Sequence, residues 1–179
     1  MLTRDDITSA LERLGQLAVE QRLTVELMLV GGAVMVLAYQ ARLSTRDVDV
    51  VIVAPRGAEG RVRQLAARVA AERGWPDDWL NDAAKGYMVG VSAGEVLVSV
   101  PGLTARAPSV AQLLAMKLSA WRDDVDIADA RRLLQELLAA TGIGREALWE
   151  NVEPYLVPGD ELTAQYAFQD LWEALYGNH

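Results

Sequence analysis

Two apolar runs joined through a diglycine constrain this chain more than any other feature. Leu27-Met28-Leu29-Val30 is short and continuous, as a buried strand is, and it ends on Gly31-Gly32. Beyond the glycines the apolar residues take helical spacing, which predicts a helix from about Gly32 to Gln40. A second run, Val48 to Val53, predicts another strand, and it opens with Asp47-Val48-Asp49. Glycine has no Cβ, so a ligand can approach the backbone at such a turn, and the N–H groups of a helix N-terminus favour an anion. Side chains alternate along a strand, so Asp47 and Asp49 project from one face and are placed to hold one hard cation. A phosphate cradle at Gly31 and Gly32 and a metal holder at Asp47 and Asp49 are therefore expected to be neighbours. Each motif also has a plainer reading: a tight turn for the glycines, a strand-edge cap for the aspartates.

Carboxylates must do any metal work. The chain has no cysteine, and its one histidine is His179, which excludes histidine triads and thiolate or histidine metal clusters. The formal net charge of −8 and pI near 4.7 give an average field that repels polyanions, so non-specific nucleic-acid binding is not expected. Local phosphate recognition is still open to the chain, because nearly all of its cations are arginine, whose guanidinium contacts phosphate bidentately. No apolar run is long enough to span a bilayer, and the start, Thr3-Arg4-Asp5-Asp6, lacks the apolar block of a secretory signal. A cytoplasmic protein with no membrane partner is the expectation.

The rest of the chain reads as packing elements around that pair of strands. Thr3 and Asp6 form a capping-box pair before a helix over 3–21, with Ile7, Leu11, Leu14, Leu17 and Ala18 on one face. Ala54-Pro55-Arg56-Gly57 is a turn, and a helix to about Arg73 carries Val62, Leu65, Ala66, Val69 and Ala70. The loop 74–82 contains Trp75 and Trp79. Trp79 and Asn81 either line a site mouth, stacking on a base and bonding a ribose or phosphate, or pin the loop to the core. Gly86 to Val91 and Glu95 to Val100 read as a hairpin turning at 92–94, and Leu103 to Arg106 extends the sheet.

From Pro108 the pattern is helical. Ser109 and Gln112 have capping-box spacing, and Lys117 lies in the apolar stretch Leu113 to Leu118, where a solvated charge does not fit the pattern. The next helix opens with acids that include Asp126 and Asp129, three apart and so on one face. Helices near 145–153 and 160–176 follow. The expected class is α/β (α+β): a mixed β-sheet flanked by helices over 1–107, then a C-terminal helical bundle over 108–179 packed on it.

The order Val30-Gly31-Gly32, 14 residues, then Asp47-Val48-Asp49 resembles the signature of the DNA polymerase β-like nucleotidyltransferase superfamily. The form Arg42-x-x-Thr45-x-Asp47-x-Asp49 is similar to the branch of AbiEii/AbiGii-type toxins and small relatives of unknown function. Trp79-Leu80-Asn81-Asp82 with Lys85-Gly86, and Leu114 to Leu118 followed by Asp126 to Asp129, also resemble segments of that branch. The resemblance implies a nucleotidyltransferase-like sheet and transfer of a nucleoside monophosphate from an NTP to an RNA end, such as tRNA, or to a protein side chain. It implies Mg2+ or Mn2+ at Asp47 and Asp49, nucleotide contacts from Gly31, Gly32, Arg42, Thr45 and Arg46, and a cognate antitoxin as partner. It further implies Lys117 for triphosphate contact, with Asp126 or Asp129 orienting Lys117 or the acceptor.

Plainer roles stand beside these: dipole complementation by solvated charges for Asp126 and Asp129, and simple ion pairing for Arg42 and Arg46. Active superfamily members often carry a third carboxylate on a later strand. Here that position is expected at Ser99, which cannot serve, or the role falls to Glu95 or Asp82. A non-catalytic nucleotide- or partner-binding protein, and an aminoglycoside-type transferase, are the alternative readings.

Overall fold

The computed structural model describes residues 1–121 and 123–177, so His179 lies outside the described residues. Two compact units are present, one built from Met1–Lys85 and Ala93–Pro108, the other from Gly86–Ser92 and Ser109–His179.

The first unit contains β1 (Leu2–Thr3), α1 (Arg4–Glu20), β2 (Val25–Val30), α2 (Gly31–Leu37), β3 (Ser44–Thr45), β4 (Val48–Ala54), α3 (Glu59–Arg73), β5 (Leu80–Asn81), β6 (Val96–Val100) and β7 (Leu103–Arg106). Five strands form a mixed sheet in the order β5-β4-β2-β7-β6. β2 lies between an antiparallel β4 and a parallel β7, β5 runs parallel to β4, and β6 is antiparallel to β7. The central position explains why β2 reads as an unbroken apolar run, with all but Glu26 buried. β1 and β3 form a separate two-stranded ribbon too short to leave any pattern in the sequence.

Local chemistry sets the helix limits. Thr3 Oγ1 accepts from the Asp6 N–H at 3.3 Å while Asp6 Oδ2 accepts from the Thr3 N–H at 2.9 Å, the reciprocal box that stabilises a helix start by about 1 kcal/mol. The expected stripes of α1 and α3 are buried, residue for residue. α2 is shorter than the spacing predicts. It ends at Leu37, whose carbonyl accepts from Arg4 Nη1 at 3.0 Å, and Gln40 takes a left-handed φ of 49° that a continuing helix would not allow. Trp79 is 2% exposed and its Nε1 donates to the Ala66 carbonyl of α3 at 2.9 Å. The ring therefore pins the loop and is not available as a stacking platform at a site mouth.

One expected strand does not form. Residues 83–87 make a short 3-10 turn, 88–95 have no regular structure, and the hairpin turns instead at Pro101-Gly102, between β6 and β7. The reason is Gln112. Its side-chain carbonyl accepts from Ser92 N–H at 3.0 Å and from the Ser92 hydroxyl at 2.5 Å, and its NH2 donates to the Val89 and Gly90 carbonyls at 2.9 and 3.1 Å. Backbone groups that a ladder would have satisfied are bonded to one fully buried amide. The same bonds reduce the expected Ser109/Gln112 box to half. Ser109 Oγ accepts from the Gln112 N–H at 3.3 Å, but the Ser109 N–H donates to Ser92 Oγ at 2.8 Å.

The second unit is helical apart from that buckled segment: α4 (Val110–Ala120), α5 (Asp124–Thr141), α6 (Arg145–Val152) and α7 (Glu161–Tyr176). Leu114, Leu118, Leu133, Leu134, Leu148 and Val152 are fully buried, each contributing about 1.5–3 kcal/mol of apolar transfer. Along α6 and α7, Trp149, Phe168, Trp172 and Tyr176 touch in sequence with ring centroids 4.8–6.3 Å apart. Among the described residues no helix is long and apolar enough to cross a membrane.

Candidate functional site

The first unit brings the two sequence motifs together. β2 delivers the chain to Gly31, and Val30 is the register partner of Asp49 in β4, so the diglycine leaves one strand where the second aspartate enters the next. Val48 is buried while Asp47 and Asp49 on either side of it are half-buried, which is the alternation that puts both acids on the opposite face. Gly31 has φ 62°, a left-handed conformation that costs a side chain about 1 kcal/mol or more. A Cβ there would stand 2.7 Å from Asp49 Oδ2. A Cβ on Gly32 would collide with Thr45 Oγ1 and lie 3.3 Å from Arg42 Nη1. The two missing side chains thus let the Asp49 carboxylate approach the backbone at Gly31, and the Thr45 hydroxyl and Arg42 guanidinium approach it at Gly32.

Thr45 is buried, Arg42 half-buried and Arg46 exposed. Five of the expected residues, Gly31, Gly32, Arg42, Thr45 and Asp49, are therefore gathered in one place. Asp47 adjoins them one residue before β4. Arg46 is a surface residue by comparison.

The neighbour of Asp49 on its other side is Asn81, its register partner across the parallel β4–β5 pair. Asn81 Oδ1 accepts from the Ala83 N–H at 2.9 Å, an Asx turn that fixes the side chain. No signal in the sequence indicates this adjacency, because a two-residue strand has no periodicity and its pairing is set by distant chain. The other expected positions for a third acid lie elsewhere. Ser99 is exposed on β6, with β2 and β7 between it and β4. Glu95 is exposed ahead of β6. Asp82 follows Asn81, and its carboxylate accepts from Arg63 Nη2 at 2.7 Å, a bond that holds its pKa below the usual carboxylate range. Among the described residues no three His, Cys, Asp or Glu side chains converge as a metal cluster. The carboxylates that could hold a cation here are thus a pair, Asp47 and Asp49, with Asp49 Oδ2 lying 2.7 Å from where a Cβ on Gly31 would stand.

Lys117, Asp126 and Asp129 form a second group, in the helical unit. The ammonium lies 2.7 Å from Asp126 Oδ1 and 2.8 Å from Asp129 Oδ2, with side chains 13%, 8% and 3% exposed. Lys117 occupies the last turn of α4 and Asp126 the first turn of α5, where Asp123 caps the helix by accepting from the Val125 and Asp126 N–H groups. Each charge sits at the helix end whose dipole favours it. Burial overturns the solvated-charge reading of Asp126 and Asp129, which are ion-pair partners inside the unit. Two of the three Lys117 donors are committed to them.

No protein-family model, curated protein or solved structure matches this chain.

Proposed function

We propose that this chain is a nucleotidyltransferase-fold protein of the AbiEii toxin-like kind. In this reading Gly31, Gly32, Arg42 and Thr45 bind the phosphates of an NTP, and Asp47 and Asp49 hold Mg2+ or Mn2+. The observation that carries it is the close approach of the Asp49 carboxylate to the backbone at Gly31, and of the Thr45 hydroxyl and Arg42 guanidinium to the backbone at Gly32, which a Cβ at either position would block. A plain tight turn needs one left-handed glycine; it does not need the second glycine to make room for Thr45 and Arg42. The metal supplies charge neutralisation at the triphosphate when bound. The protein's own part is positioning: Thr45 donates from its hydroxyl, Arg42 offers a planar fork to phosphate oxygens, and the backbone at Gly31 admits the ligand. The acceptor hydroxyl, at an RNA end such as that of tRNA or on a protein, attacks the α-phosphorus and gives its proton to solvent. Pyrophosphate leaves with the electrons of the broken P–O bond.

Incubation with labelled NTPs, Mg2+ or Mn2+, and total tRNA or cell lysate tests this reading. Label is expected on a macromolecule with the native chain and not with Asp47→Ala/Asp49→Ala; equal labelling by both rejects the assignment.

A second reading has one observation in its favour: the strand position beside Asp49 carries the amide of Asn81 and no third acid. In this reading the chain binds the nucleotide and acts without turnover, through a partner such as an antitoxin. Calorimetry with NTP and Mg2+ separates the two, since binding without any transferred label supports the second.

A further inference from the structure

The helical unit carries a surface unrelated to the residues above. Beyond Arg145 the sequence has seven Asp or Glu and no further Lys or Arg, so nearly all of the net charge of −8 belongs to the helical half of the chain. In that stretch α6 and α7 enclose an open groove of about 330 Å³. Trp149 and Phe168 give it apolar walls, Glu146 and Glu150 line the α6 side, and Gln165 and Gln169 line the α7 side. The two rings meet at 5.3 Å, with Phe168 buried and Trp149 half-buried, so the indole presents part of its face to the opening. Next to it on α7, Leu162 and Tyr166 are each 63% exposed, an unusual density of large apolar surface for one helix.

We propose that this groove binds a positively charged segment of another protein, seating one large apolar side chain against Trp149 and Phe168. The volume lies at the bottom of the range of about 300–1,000 Å³ typical of ligand pockets, enough for one side chain and too small for a large cofactor. Charge complementarity selects the sign. The rim offers amide and carboxylate oxygens as acceptors; Arg145 and Glu146 pair with each other at 3.0 Å, so Glu150 sets the sign of the lining. An arginine or lysine flanking the inserted side chain would meet Glu150 and the indole face, the latter by cation–π attraction. A nucleic acid or an anionic membrane would be repelled by the same face. Leu162 and Tyr166 widen the apolar contact beyond the groove itself.

The test uses the full chain and a fluorescein-labelled amphipathic peptide of Arg, Lys, Leu and Trp, followed by anisotropy. Saturable binding is expected, weakening as ionic strength rises and falling about tenfold or more in Glu146→Lys/Glu150→Lys, whose melting temperature stays that of the native chain. A groove-filling Gln169→Trp variant should also lose the peptide without losing the fold. Unchanged affinity in the charge-reversed protein would overturn the proposal. Equal binding of a peptide of lysine and serine alone would also overturn it, since charge without a seated side chain is not a groove. If sedimentation shows concentration-dependent self-association that the same reversal abolishes, the occupant is a second copy of this chain and the proposed partner is wrong.

Discussion

Asn81 lies directly beside Asp49 across the parallel β4–β5 pair, with its Oδ1 already accepting from the Ala83 N–H. An aspartate at position 81 would keep that acceptor and place a third carboxyl group next to Asp47 and Asp49. Under the nucleotidyltransferase reading, Asn81→Asp should tighten Mn2+ binding by about tenfold or more in calorimetry, because hard cations gain from added anionic oxygen. In the double background Asp47→Ala/Asp49→Ala the gain should vanish. A gain that survives there would place the cation somewhere else.

Gly32 is the more sensitive of the two glycines. An added methyl group would drive into Thr45 Oγ1, on a buried strand residue that cannot move outward freely. Gly32→Ala should cost about 1–3 kcal/mol by overpacking, read from denaturant midpoints. Gly32→Ala/Thr45→Ser retains the hydroxyl and so retains the clash, whereas Gly32→Ala/Thr45→Ala should recover much of the loss. Nucleotide binding should fall in both double variants.

Lys117 and its two aspartates form a buried ion cluster, and such clusters are asymmetric in their energetics. Removing one partner leaves a charge stranded in low dielectric, so Lys117→Met should destabilise the chain by about 3–5 kcal/mol. Lys117→Met/Asp126→Asn/Asp129→Asn, which removes every charge, should be less destabilised than the single variant. Urea denaturation of these two, the native chain and Asp126→Asn/Asp129→Asn checks the order, and strict additivity would contradict a shared cluster.

Gln112 closes four hydrogen bonds to residues 89–92 from a position with no solvent. Gln112→Ala should cost on the order of 1–3 kcal/mol, limited because the released groups can turn to water. Hydrogen exchange at residues 89–92 should accelerate more than in α5, and a protease should gain a site there. Exchange rising evenly across the chain would show that the amide holds the whole fold and not one segment.

Acid weakens the Arg63–Asp82 and Arg13–Glu72 pairs in a defined direction. Each carboxyl is held below its ordinary value, chiefly by the hydrogen bond from its arginine. A depressed folded pKa adds stability that is complete above the unfolded value near pH 4 and disappears as pH falls through the folded value. The melting-temperature difference between the native chain and Arg63→Gln should therefore be small and positive at pH 6, shrink below about pH 4, and diminish in high salt. A difference that grows on acidification would reverse the sign of this linkage.

Much of the fold could be read from local pattern, and the failures share a cause. The stripes of α1 and α3, the two strands around the diglycine and the start of α5 follow from spacing and capping chemistry within a few residues of each other. Lys117 stood out because an ammonium in the run Leu113 to Leu118 needs a buried counter-charge. Glycine at 32 is adjacent in sequence to glycine at 31, yet only the return of Thr45 and Arg42 explains it. The absent strand at 86–91 has the right composition, but an amide some 20 residues downstream takes its backbone bonds. Ser99, Glu95 and Asp82 all remain open as the third position because strand order is invisible locally; the sheet places β5, not β6, beside Asp49. Trp79 suits a site mouth and a core anchor equally on sequence alone, and the Ala66 carbonyl that accepts from its N–H decides for the anchor.

The segment 86–92 also bears on how this protein can be dissected. A fragment beginning at Ser109 would begin after the residues that bond Gln112, so that buried amide would lose Ser92, Val89 and Gly90 as partners. Gene truncations at the apparent seam before Val110 should therefore yield insoluble or loosely ordered helices, whereas adding residues 86–92 back as a separate peptide should restore cooperative melting.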